Sequence, residues 1–166
     1  MPVVVCDSST LIHLARIGRL SLLTDFHSKI IVVPAVWKEV VDEGQSRPGS
    51  SEIRDARESG WIEVTAPHNG PLVQLLLREL HKGESETIAL AVELHADLIF
   101  LDESDARRVA KVYGLNISGV IGILIRARLA GKVTSLRNEL DNLRIDGGFW
   151  IGNDVYNRAL NAVEEN

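Results

Sequence analysis

Short β-branched runs alternate with longer amphipathic runs along this chain, and this alternation restricts the possible folds more than any other feature. The short runs predict strands at Val3–Cys6, Ile30–Val33, Ile62–Val64, Leu98–Leu101 and Asn116–Ser118. The longer runs predict helices at Leu11–Ile17, Ala35–Asp42, Glu84–Leu94, Asp105–Tyr113, Val120–Ala130, Leu136–Leu143 and Val155–Val163. Parallel strands need such helical connections between them. The sequence therefore predicts an α/β fold in three layers, an α/β/α sandwich around a mostly parallel sheet.

The composition is that of a soluble protein: 166 residues, 45% hydrophobic and 25% charged, fit one domain. The single cysteine, Cys6, lies in an apolar run, which favours a buried thiol and a reducing, cytoplasmic compartment. No apolar run approaches the roughly 18 residues of a membrane helix, so we expect no membrane partner. A net charge of −5 disfavours the broad basic surface of nonspecific DNA binders, but it is compatible with a nucleic acid bound through a metal ion.

Acidic residues stand at four of the predicted strand-to-helix junctions. Asp7 ends the first strand, and hydroxyl residues that suit a helix start follow it. Glu39 lies one turn into the next helix, and Glu86 lies in the first turn of the helix that Gly83 opens. The fourth junction is the acidic run 102–105. Because the carboxyl ends of parallel strands meet at one edge of a sheet, these carboxylates are expected to converge there.

Converging carboxylates repel one another and raise each other's pKa values, so a hard cation or shared protons must offset that cost. Oxygen ligands suit Mg²⁺ or Mn²⁺, and such a site can support metal-assisted hydrolysis of a phosphodiester. Each acid also has a structural explanation of its own. For Asp7 alone, helix capping and catalysis carry about equal weight, and Glu84 and Glu86 suit a helix start through the macrodipole. The recurrence at four junctions favours the metal site.

Four segments together resemble the PIN-domain ribonucleases, in particular a prokaryotic branch once labelled a domain of unknown function and related to the VapC-type toxins. The segments are Asp7-Ser8-Ser9-Thr10-Leu11, Val33-Pro34-Ala35-Val36-Trp37-Lys38-Glu39-Val40, Gly83-Glu84-Ser85-Glu86-Thr87-Ile88-Ala89-Leu90-Ala91 and Leu101-Asp102-Glu103-Ser104-Asp105. The resemblance implies a single PIN-like domain over residues 1–166, with residues 1–130 as its core and residues 131–166 as a C-terminal helical extension.

The resemblance also implies a set of site residues. The family's catalytic and metal-binding acids correspond to Asp7, Glu39, Glu86 and Asp102. Glu84 competes with Glu86, and Glu103 and Asp105 are alternates for the fourth acid. Ser9 and Thr10 are expected to support Asp7 or to contact the substrate backbone. The implied activity is a Mg²⁺- or Mn²⁺-dependent endoribonuclease acting on single-stranded RNA, plausibly the toxin of a type II toxin–antitoxin pair, with a small antitoxin protein and a homodimer as partners.

Two other classes of function compete with the nuclease. A phosphatase with an aspartyl nucleophile would need a second aspartate where this chain has Ser9, which weighs against that class. A degenerate PIN fold that only binds nucleic acid or protein stays open. For RNA binding, the candidate phosphate contacts are Arg16, Lys38, Arg107, Arg108 and Lys111, and the candidate stacking residues are Trp37, Trp61 and Trp150.

Overall fold

A five-stranded, fully parallel sheet lies at the centre of the structure, a computed structural model that describes residues 1–165. Its strands are β1 Val4–Cys6, β2 Ile30–Val32, β3 Ile62–Val64, β4 Leu98–Phe100 and β5 Ile117–Ser118. Their order in the sheet is β3-β2-β1-β4-β5. The α/β fold and all five predicted strands are confirmed, with ends that differ by at most one residue.

Helices connect the strands and flank the sheet. They are α1 Ser8–Arg16, α2 Ser21–Phe26, α3 Pro34–Trp37, α4 Ser50–Glu58, α5 Gly70–Leu76, α6 Lys82–Glu93, α7 Ser104–Val112, α8 Val120–Leu129, α9 Leu136–Ile145 and α10 Asn153–Ala162. Helix α3 continues directly into a π-helical segment, Lys38–Asp42, which carries Glu39. None of the helices in residues 1–165 combines the length and apolar character that a membrane span requires.

The sequence analysis did not predict three of the helices, α2, α4 and α5. Helix α2 has 6 residues and α5 has 7, too few to display a clear period. Helix α4 is mostly polar, and only Ser50, Ile53 and Ala56 are buried. Tertiary packing therefore stabilises these helices more than their own sequence pattern does.

The strand order places a topological switch point between β1 and β4. From β1 the chain builds the sheet outward through β2 and β3, and then returns to the other side of β1 to form β4 and β5. Cys6 pairs in register with Phe100, and the amide of Asp7 donates to the carbonyl of Phe100 at 3.1 Å. Ligands of open α/β sheets bind in the crevice at this point, beyond the carboxyl ends of the strands. Asp7 follows β1 and Asp102 comes after β4, so the two residues flank this crevice.

The last three helices pack against each other and against the first part of the chain. Helix α8 contacts α1, α2, α9 and α10. Two ion pairs stabilise this arrangement. The guanidinium group of Arg19 donates hydrogen bonds to both carboxylate oxygens of Glu139 in α9, and Nε of Arg128 in α8 lies 2.8 Å from Oε2 of Glu165. Residues 131–165 therefore pack against helices of the preceding part of the chain. The predicted buried thiol is also confirmed, since Cys6 is fully buried.

Candidate functional site

Asp7 is a buried carboxylate that the fold leaves without a complete set of partners. Only 1% of the residue is exposed. It occupies the N-cap position of α1, but its side chain accepts no capping hydrogen bond. Its Oδ1 atom has no hydrogen-bond partner anywhere in residues 1–165. Buried polar atoms are nearly always paired, so this oxygen requires an explanation other than capping.

The surroundings of Asp7 disfavour its negative charge. Burial is the largest effect and raises the pKa of Asp7 from its ordinary 3.8 to about 7. A hydrogen bond from the backbone of Ser8 lowers the pKa, while the charges of Glu84, Glu39 and Asp102 raise it further. The site therefore carries a negative potential that a bound cation would relieve.

A cleft of about 460 Å³ opens in front of Asp7. Its lining comes from α1, the π-helical segment, the start of α6 and the turn after β4: Asp7, Ser8, Ser9, Ile12, His13, Arg16, Glu39, His81, Gly83, Glu84 and Glu103. Gly83 forms the wall next to Asp7, since a Cβ atom there would lie in ordinary van der Waals contact with Oδ1, at 3.8 Å. The structure thus brings Asp7 and Glu39 together as the sequence predicted.

Glu84, rather than Glu86, faces this cleft. Positions two apart on a helix differ by about 200° around its axis, so only one of the two glutamates can point toward Asp7. Helix α6 begins at Lys82, and Glu84 also accepts a hydrogen bond from the amide of His81 at 3.1 Å. Glu86 instead lies 4.0 Å from the Lys82 ammonium group and does not line the cleft. The apolar spacing that favoured Glu86 does not discriminate, because α6 is buried at nearly every position from Glu84 to Ala91.

Asp102 is held beside the cleft by groups of two helices, α1 and α8. Its carboxylate accepts hydrogen bonds from Thr10 Oγ1 at 2.6 Å and from the amide of Val120 at 3.1 Å, where α8 begins. His13 Nδ1 lies 3.9 Å away. A Cβ atom on Gly119 would come within 2.4 Å of Asp102 Oδ1, so the carboxylate fits only because residue 119 is glycine. Thr10 therefore supports Asp102, and not Asp7 as we expected.

The two alternates for the fourth acid differ in position. Glu103 is exposed and lines the cleft with Asp7. Asp105 has a 77% exposed side chain, lies 4.0 Å from Arg108 and is outside the cleft. Ser9 does line the cleft, and its hydroxyl has no hydrogen-bond partner among the described residues. Glu103 thus lines the cleft itself, whereas Asp102 lies beside it.

The fold and this arrangement agree with a comparison against known protein families. The family model DUF3368, described as a PIN domain, matches residues 3–165. The chain belongs to this PIN-domain family. PIN domains have a nuclease-type fold, in line with the acidic cleft at the switch point. No curated protein shows significant sequence similarity to the chain.

Two histidines of the PIN-domain cleft were not assigned any role from the sequence. His13 lies on α1, and its Nδ1 is buried without a hydrogen bond in residues 1–165. Its ring packs edge-to-face with the ring of Phe149, with 4.7 Å between the two ring centroids. His81 precedes α6. Ser9, His13 and Arg16 follow an i, i+4, i+7 pattern on α1, which is the one sequence signal that could have identified this face of the helix.

The donor set of the cleft fits a hard divalent cation. Within residues 1–165, no three acidic, histidine or cysteine side chains form a ready-made cage around an ion. Mg²⁺ does not require one, because it binds through one or two carboxylates and keeps several of its waters. The unpartnered Oδ1 of Asp7, with Glu39 and Glu84 in the same cleft, provides oxygen ligands of that kind.

Proposed function

We propose that this PIN domain is a Mg²⁺- or Mn²⁺-dependent endoribonuclease that hydrolyses phosphodiester bonds of single-stranded RNA. The observation that carries the proposal is the buried, unpartnered carboxylate of Asp7, which shares its cleft with Glu39 and Glu84 at the switch point of a nuclease-type fold.

In this proposal Asp7, Glu39 and Glu84 hold the metal, and Asp102 or Glu103 completes the acidic site. When bound, the ion would activate water and stabilise the charge that develops on the phosphate. The acids cannot receive a phosphate by themselves, since their charges repel it at close range. The need for a divalent cation therefore follows from the residues of the cleft.

The other residues of the cleft have complementary roles. Thr10 and the amide of Val120 fix the orientation of Asp102, so that little reorganisation is needed when charge develops nearby. Arg16 lines the cleft and donates from its guanidinium group to the carbonyl of Gly147 at 3.1 Å. This contact holds Arg16 at the rim, where its positive charge can attract an RNA phosphate.

The biological setting stays a proposal that rests on the family. A toxin of a type II toxin–antitoxin pair, acting in the cytoplasm with a small antitoxin protein and as a homodimer, is consistent with such a nuclease. The division into a core of residues 1–130 and a helical extension of residues 131–166 stays a prediction as well.

Cleavage of a labelled single-stranded RNA tests the activity directly. We expect cleavage by the natural chain with Mn²⁺, loss of cleavage with a chelator, and loss in the Asp7→Asn variant. Asp105→Asn is the matched control, because this acid lies outside the cleft, and it should cleave normally. Cleavage retained in Asp7→Asn would refute the assignment of the site. Metal-independent binding of RNA without cleavage would favour the noncatalytic binding module instead.

A further inference from the structure

A second cleft, of about 500 Å³, lies on the other side of Asp102. Phe149, Trp150, Ile121 and Val155 form its apolar part, and Ser104, Arg107 and Ser118 lie among its polar lining residues. Asp102 belongs to this cleft and also acts electrostatically on Asp7 in the first one. Phe149 contacts His13, which lines the first cleft. The two clefts are therefore neighbours with a shared wall.

Trp150 is unusually exposed for its size. Its exposed fraction is 86%, although the ring forms part of a concave surface. One edge of the indole lies against Gly152, since a Cβ atom there would lie 3.2 Å from Cη2 and 3.6 Å from Cζ3 of the ring. An aromatic face that lines a cleft and is left open to solvent is suited to stacking on a planar ligand.

The polar groups of this cleft provide both donors and acceptors for such a ligand. Arg107 lines the cleft and donates one hydrogen bond, to the carbonyl of Leu101 at 2.7 Å. A guanidinium group has five N–H donors, so others are available to a ligand. The hydroxyl of Ser118 lies over Gly122, since a Cβ atom there would approach Ser118 Oγ to 2.3 Å. The carboxylate of Asp102 forms part of the wall and disfavours an anion. Arg107 balances this charge, so the lining carries no net positive charge to favour a phosphate, and a neutral, planar and hydrogen-bonding group fits better.

We propose that this second cleft binds a nucleobase of the RNA substrate, stacked on Trp150, next to the phosphate received in the first cleft. The inference rests on the proposed function and adds to it a base-binding subsite. Because Asp102 lines the second cleft and lies beside the first, a strand that places one phosphate at Asp7 can place an adjacent base at Trp150 without leaving the protein surface.

Binding can be measured separately from cleavage. The Asp7→Asn variant keeps the second cleft intact, and Trp37→Phe and Trp61→Phe in the same chain leave Trp150 as its only tryptophan. A short single-stranded oligoadenylate should quench the fluorescence of Trp150, and Mg²⁺ is left out because Asp7→Asn should not bind it. An abasic ribose-phosphate oligomer of the same length should not quench it.

Substitutions at Trp150 and Gly152 should change the affinity for oligoadenylate but not the affinity for the abasic oligomer. Because these substitutions remove or displace the fluorophore, the affinities are measured by the fluorescence anisotropy of a dye-labelled oligoadenylate. Trp150→Ala should weaken its binding roughly 5- to 150-fold, Trp150→Phe should restore most of the affinity, and Gly152→Val should weaken binding by displacing the indole. Ile145→Ala is the control, since this residue is 79% exposed but lies outside the cleft.

Equal binding of the abasic oligomer, or unchanged affinity in Trp150→Ala, would overturn the inference. A change of oligomeric state in Trp150→Ala without any effect on RNA affinity would assign the cleft to a second copy of the chain and would overturn it too. Its failure is distinguishable from failure of the proposed function. Cleavage that is insensitive to Trp150 refutes the base subsite alone, and quenching without cleavage by the natural chain refutes the nuclease alone.

Discussion

Replacement of Asp7 by asparagine should stabilise this protein at alkaline pH when no metal is present. The two side chains have nearly the same shape, so the main change is removal of a carboxylate that is 1% exposed and lies among other acids. The folded natural chain holds a proton on Asp7 up to about pH 7, whereas the unfolded chain releases it near the ordinary value of 3.8. Stability from this group is therefore fully present below about pH 4 and is lost as the pH rises to about 7.

The magnitude follows from the pKa. One pKa unit corresponds to about 1.4 kcal/mol, so raising the pKa of Asp7 to about 7 corresponds to about 4 kcal/mol lost above that pH, and about 3 kcal/mol of it is lost between pH 5 and pH 8. Asparagine stays neutral throughout. The free energy of unfolding of Asp7→Asn, relative to the natural chain, should rise by about that amount over this interval.

Urea unfolding in a chelator at pH 5 and pH 8 measures this difference. Asp105→Asn serves as the control, because Asp105 is mostly exposed and should give little pH-dependent change relative to the natural chain. Millimolar Mg²⁺ should then stabilise the natural chain at pH 8 but not Asp7→Asn, since binding to the folded state alone raises its stability. A relative stability that does not change with pH, or that falls at pH 8, would refute the reasoning about Asp7.

Three further substitutions test the support around the site. Gly119→Ala should slow RNA cleavage tenfold or more because its methyl group displaces Asp102, while Gly70→Ala, where a methyl group meets nothing within 4 Å in the described chain, should cleave normally. Arg19→Met should lower the free energy of unfolding by roughly 2 kcal/mol in urea, because Glu139, at 5% exposure, loses its charged partner. Glu165→Gln should cost about 1 kcal/mol at neutral pH by weakening the cap that its carboxylate forms on the amides of Leu136 and Arg137. Burial raises the pKa of Glu165, but the hydrogen bonds from these amides and the contact with Arg128 outweigh it and lower the pKa below its ordinary 4.5. The loss should therefore shrink as the pH falls from about 4.5 through the lowered pKa, below which the natural residue is also neutral.

The centre of the sheet could be predicted from the sequence because strands such as β1 and β4 are buried on both faces. Such strands appear as short, continuous apolar runs, and each one ends where polar residues begin. The same property located Asp7 and Asp102, because Asp7 directly follows β1 and only the buried Leu101 separates Asp102 from β4. The order of the strands could not be read from the pattern, since runs such as Val4–Cys6 and Leu98–Phe100 look alike whichever neighbour they pair with.

The choice between Glu84 and Glu86 depended on information that the pattern does not contain. The two residues lie on different sides of α6, and the side that faces Asp7 follows from the position at which the helix begins and from its packing on β1. A helix buried on nearly all sides has no clear polar face to fix its orientation from sequence alone. The role of Thr10 was missed for a related reason, since its partner Asp102 is 92 residues away along the chain.

Binding of Mn²⁺ to purified variants, followed by electron paramagnetic resonance of the free ion, tests the acidic cleft most directly. The natural chain should bind the ion, Asp7→Asn and Glu84→Gln should lose it, and Glu86→Gln should retain it, because Glu86 lies outside the cleft. Loss of Mn²⁺ in Glu86→Gln together with retention in Glu84→Gln, or no binding by the natural chain, would contradict the metal site described for Asp7, Glu39 and Glu84.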